Sequence, residues 1–132
     1  MILENHLRSF RKFNNMNLDT LQKILLDKPK AIEDTPFGPE ALVYKVLGKM
    51  FALVSWGDDP LRINLKCDPD LALALRAEYE SVIPGYHMNK KHWNSVILDG
   101  SIPESLLHEM IDNSYDLVVK GLKKADREKL SK

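Results

Sequence analysis

Between Pro84 and Trp93 the chain reads Pro-Gly-Tyr-His-Met-Asn-Lys-Lys-His-Trp, and no aspartate or glutamate occurs from Pro84 to Leu98. These residue types suit a polyanion. Lys90 and Lys91 can neutralise phosphates, and His87 and Asn89 can hydrogen-bond to phosphates or base edges. Tyr86 and Trp93 offer flat faces on which bases stack. The same stretch also suits an ordinary surface turn, with Trp93 in the core and Tyr86 over an apolar edge.

Other chemistries find less support. His87 and His92 are five positions apart with no cysteine or carboxylate between them, which is no recognised metal-ligand spacing, so no metal is expected. Cys67 continues the apolar alternation Leu61, Ile63, Leu65 and reads as a small core residue rather than a nucleophile. Gly48-Lys49 lacks both the upstream glycine and the following Ser or Thr of a phosphate loop. With no carboxylate pair, nucleophile–base dyad or cofactor fingerprint in the sequence, neither enzymatic activity nor a cofactor is expected. Asp19, Asp27, Glu33, Asp34 and Glu40 are interleaved with Lys23, Lys28 and Lys30, as on a solvated face.

Nineteen basic and nineteen acidic residues cancel, so any attraction for nucleic acid must rest on a local patch. Neutrality equally suits a protein-interaction or regulatory module in which the same loop docks an acidic partner and Tyr86 or Trp93 anchors it. At 132 residues, 44% hydrophobic and 29% charged, the chain suits one folded domain. Its start lacks a signal-peptide pattern and no apolar stretch reaches membrane-spanning length, so a cytoplasmic protein with no membrane partner is expected.

The positioning elements follow from periodicity and caps. Residues 1–15 read as an N-terminal extension, a short basic amphipathic helix through Leu3, Leu7 and Phe10, ahead of a single domain over 16–132. A helix is predicted over 18–27, capped by Asn17 and stopped at Lys28-Pro29. Strands 41–46 and 50–56 form a hairpin turning near Leu47-Gly48, and strand 61–67 puts Arg62, Asn64 and Lys66 on a polar, basic side. Asp68-Pro69 opens a helix to about Glu80, with Leu71, Ala74, Leu75 and Tyr79 facing the core. After the 84–91 loop and strand 93–98, Ser101 and Glu104 have capping-box spacing. The helix they open buries Leu107, Met110, Ile111, Ser114, Val118 and Leu122, and 123–132 is a charged terminal helix or tail. The order α-β-β-β-α-β(β)-α indicates an α+β domain, an antiparallel sheet with helices packed on one face.

Several motifs then converge. Pro36-Phe37-Gly38, Gly48-Lys49-Met50-Phe51-Ala52, Asn64 to Pro69, Pro84 to Asn94, Leu98-Asp99-Gly100 and Ile111-Asp112 with Ser114-Tyr115 together resemble the MmcQ/YjbR family over roughly 16–130. That resemblance implies a frataxin-like (CyaY-like) fold and a double-wing DNA-binding motif. Frataxin kinship also raises iron binding at the acidic first helix, where the mixed charge argues against it. The expected DNA-contact surface is the 84–94 loop with the polar face of strand 61–67. Arg62, Asn64 and Lys66 would position the backbone while Lys90, Lys91 and His92 reach a groove.

Overall fold

The computed structural model describes residues 16–57, 59–85 and 88–130, so the expectations for residues 1–15, Tyr86 and His87 lie outside the described residues. Among the described residues four helices and six strands run in the order α1 (Leu18–Leu26), β1 (Ala31–Asp34), β2 (Ala41–Val46), β3 (Lys49–Ser55), β4 (Arg62–Lys66), α2 (Pro69–Glu78), β5 (Val82–Pro84), β6 (Trp93–Ile97), α3 (Glu104–Lys120) and α4 (Lys124–Leu130). The strands form one antiparallel sheet, β1-β2-β3-β4-β6-β5. α3 lies across β2, β3 and β4, while α1 sits by β1 and α2 by β5. This is the α+β class the periodicity implies.

The local signals explain most elements. Asn17 Oδ1 accepts the Thr20 amide at 2.8 Å, and Asp68 accepts from Asp70 and Leu71, so both predicted caps close their helices. Leu47 and Gly48, with φ of 47° and 85°, make the two-residue turn whose left-handed backbone matches strand twist. Strand β1, of mixed polarity, is absent from the sequence reading, and β5 is the optional second strand of the expected order; both are short edge strands that owe their form to pairing.

Two expectations are corrected, and a bulge is added to the expected hairpin. The capping box does not form. Ser101 turns its amide and hydroxyl to Asp99 Oδ1 instead, at 3.0 and 2.6 Å, and α3 starts after Pro103 without a side-chain cap. On α2 the buried residues are Ala72 and Leu75, while Leu71 and Ala74 are exposed. The helix is turned so that Arg76 reaches the sheet, where its Nε donates to Asn94 Oδ1 at 2.7 Å. In β3, Tyr44 pairs with Ala52 and Lys45 with Met50, leaving Phe51 as an extra residue. That bulge turns both Phe51 and Ala52 into the core and puts both Met50 and Leu53 on the opposite face.

The core lies between the sheet and the helices, with Leu21, Leu25, Tyr44, Phe51, Val54, Ile63, Val96 and Ile111 fully buried. Phe51 meets Tyr115 edge to face at 5.2 Å. Tyr44 Oη donates to Glu33 Oε2 at 2.6 Å, and the same oxygen accepts from Gln22 at 2.9 Å. Burial, then the Glu33 bond, raises the Tyr44 pKa above its ordinary value. Because the folded state holds this proton more tightly than the unfolded chain, the stabilisation is complete below about pH 10 and is lost as pH rises beyond it. Urea unfolding from pH 9 to 11 should therefore show an alkaline loss of stability that Tyr44→Phe reduces. Tyr115, raised by burial and Asp116, and Cys67, raised chiefly by burial, contribute to the same loss.

Candidate functional site

The face of the sheet turned away from the helices carries the rows Ala41–Ser55–Arg62–Ile97, Val43–Leu53–Asn64–Ser95–Ile83 and Lys66–Trp93, as the strand register requires. Two loops rise beside it. Phe37–Ala41 is pinned by Trp56, whose indole donates to Pro39 O at 2.7 Å and whose amide donates to Glu40 O at 3.1 Å. The pinning leaves Phe37 itself 71% exposed. Sheet and loops enclose a concavity of about 1040 Å³ whose lining includes Phe37, Met50, Leu53, Arg62, Asn64 and Trp93, with Met88 and Asn89 beside them.

The second loop, described from Met88 to Trp93, is braced at many points. Gly85 N donates to Trp93 O at 2.8 Å, His92 and Trp93 amides donate to Asn89 O at 3.2 and 2.9 Å, and Cys67 N donates to His92 O at 2.7 Å. Asn89 Oδ1 accepts from the Lys91 amide at 3.0 Å. Arg76 ties the loop to α2, donating to Lys90 O and, at 3.3 Å, to Trp93 O. A side chain at Gly85 would meet Trp93 Cβ at 2.8 Å and Trp93 O at 2.9 Å, so only glycine permits this closure. The result is a fixed mount for Lys90 and Lys91, which are exposed and have no acidic partner among the described residues.

The expected site residues divide accordingly. Arg62, Asn64, Asn89 and Trp93 line one concavity although they come from separate segments. Lys66 is the cross-strand neighbour of Trp93 but does not line the hollow, and His92 is half-buried beside it. Asn64 departs from expectation. At 4% exposure it forms floor rather than a wet rim, because Leu53 and Ser95 flank it on the same row, and Ser95 Oγ donates to its Oδ1. Trp93 belongs to the hollow and not to the core cluster. Sequence reasoning missed Phe37–Ala41, Met50 and Leu53. Pro36-Phe37-Gly38 was visible as a family motif but not as part of a site, and the bulge that brings Met50 and Leu53 to this face leaves no periodic signal.

Cys67 lies in the core cluster on the helical side, its thiol pushed up chiefly by burial, an environment that suppresses the nucleophilic thiolate. Among the described residues no group of three or more His, Cys, Asp or Glu side chains converges as a metal site. No helix among them is long and apolar enough to cross a membrane.

Comparison with known proteins agrees with this architecture. The YjbR family model matches residues 26–117. The chain is 44% identical to the uncharacterized protein YbdF of Escherichia coli O157:H7, over 85% of this chain and 92% of that one. It is 34% identical to the uncharacterized protein YjbR of E. coli K12, over 87% and 98%. Among solved structures, Deinococcus radiodurans protein DR2400, with a DUF419 domain, superposes with a TM-score of 0.83 at 44% identity, covering 89% of this chain and 90% of that one. A Pseudomonas syringae protein gives a TM-score of 0.67 at 28% identity, over 77% and 98%.

Proposed function

The chain belongs to the YjbR family, and from that premise we propose that it is a small, non-enzymatic, cytoplasmic DNA-binding protein that contacts DNA through the 88–93 loop and the concave face of the sheet. One observation carries the reading. Lys90 and Lys91 stand exposed on a loop braced by Arg76, directly beside a hollow lined by Arg62, Asn64, Asn89 and Trp93. Cations on a fixed mount suit phosphates, and stacking and hydrogen-bonding groups next to them suit bases. No cofactor is required for such a role.

With net charge zero, few phosphates can be neutralised, so binding should be weak at physiological salt, with Kd of about 10⁻⁴–10⁻⁶ M. Fluorescence anisotropy with labelled DNA at low salt should detect it. Lys90→Ala/Lys91→Ala should weaken it and make the logarithmic salt slope less negative by about 2, roughly one for each phosphate no longer neutralised. Absence of binding at low salt, or an unchanged slope in the double variant, would overturn the reading.

A protein-docking role for the same surface is favoured by the exposure of Phe37 and by the neutral charge balance. Capture from lysate with nuclease treatment separates the two. A specific protein retained after nuclease supports docking, whereas retention that disappears with the nucleic acid supports DNA.

A further inference from the structure

We propose that the DNA taken by this face is single-stranded, its unpaired bases entering the concavity alongside Phe37 and Trp93 while the backbone passes Lys90 and Lys91. The inference rests on the DNA-binding reading above and narrows its substrate.

Shape is the first argument. Reading a duplex in its major groove requires a helix or two-stranded ribbon that projects from the protein into a cleft about 12 Å wide. Here the relation is reversed. Phe37–Ala41 and Met88–Trp93 border a hollow of about 1040 Å³, so the ligand must supply the inserted body. Only an unpaired base has both a face and an edge to insert.

The lining suits that body. Phe37, Met50, Leu53, Met88 and Trp93 provide apolar and aromatic surface on which any base can lie. At the floor, the Asn64 side chain gives one end of its amide to Ser95, and its Nδ2 has no hydrogen-bond partner among the described residues, though Asn64 is only 4% exposed. Buried polar groups in folded proteins are nearly always paired. A base edge brings carbonyl and ring-nitrogen acceptors to such an amide, and in a duplex those on the pairing edge are already engaged. Stacking combined with a small number of phosphate contacts also accounts for a nucleic-acid site on a chain with no net positive charge.

The test compares a labelled single strand of about 12 nucleotides, within the span of known single-strand folds, with its own duplex and with a free mononucleotide. The single strand should bind at least about tenfold tighter than either and should quench tryptophan fluorescence. Phe37→Ala should weaken single-strand binding about tenfold with thermal unfolding unchanged, since Phe37 is 71% exposed. Asn64→Ala should weaken it as well, and the Phe37 variant decides the matter if Asn64→Ala fails to fold. Equal or tighter duplex binding, with Phe37→Ala silent, overturns the inference while the DNA-binding reading stands. A mononucleotide bound as tightly as the strand reassigns the hollow to a small ligand and also overturns it. Failure of every DNA form to bind removes both.

Discussion

Ser114→Ala should lower the free energy of unfolding by about 2–4 kcal/mol, well beyond what loss of one hydroxyl at a surface would cause. Ser114 is fully buried on α3, where its Oγ donates to Phe51 O at 2.6 Å and accepts the Lys66 amide at 2.8 Å. The extra residue in β3 disrupts the ladder at this point, and the hydroxyl engages both backbone groups. Alanine leaves the buried Phe51 carbonyl unpaired, costing about 1–3 kcal/mol, and the part-buried Lys66 N–H unpaired at about 1 kcal/mol, the low end of that range. Because the bulge sets Met50 and Leu53 on the open face, the proposed DNA affinity should fall along with stability. Chemical denaturation of both proteins measures the first effect, and a change below about 0.5 kcal/mol, the ordinary surface range, would show that the bulge does not depend on this clamp.

Arg76→Ala should produce the second large effect, about 2–3 kcal/mol of stability, together with a loosened 88–93 loop. The guanidinium joins α2 to Asn94, Lys90 and Trp93 through hydrogen bonds from a charged donor. The Asn94 side chain, in a residue only 2% exposed, would keep only its long 3.5 Å bond to Ala72 O. Amide hydrogen exchange at Lys91, His92 and Trp93 should accelerate, and DNA binding should weaken although Arg76 is not assigned a contact. Arg76→Lys should recover little, because an ammonium cannot reproduce the planar fork. Unchanged exchange in the loop would mean that its own hydrogen bonds are sufficient.

Most of the scaffold was legible because its signals are local. The Asn17 and Asp68 caps, the Leu47-Gly48 turn and the α3 stripe each follow from a few neighbouring residues and reappear as predicted. The failures are tertiary. The face of α2 is set by what Arg76 must reach, the N-terminus of α3 by competition from Asp99 for Ser101, and the order of faces in β3 by a bulge at Phe51. For the site, the loop lysines and Trp93 stand out in the sequence because acidic residues are absent around them. Phe37 and Met50 stood out only within family motifs and Leu53 not at all, since apolar residues in a loop and a strand ordinarily signal core, and only the fold shows that these line a hollow.

The location of the contact surface is tested most directly by titrating isotope-labelled protein with DNA at low salt and mapping the backbone amides that shift. The largest changes should fall in residues 37–41, 50–55, 62–64 and 88–93, with the amides of α3 nearly still. Changes concentrated on the helical face, or none at low salt, would contradict the assignment of the open sheet face and its loops as the DNA-binding surface.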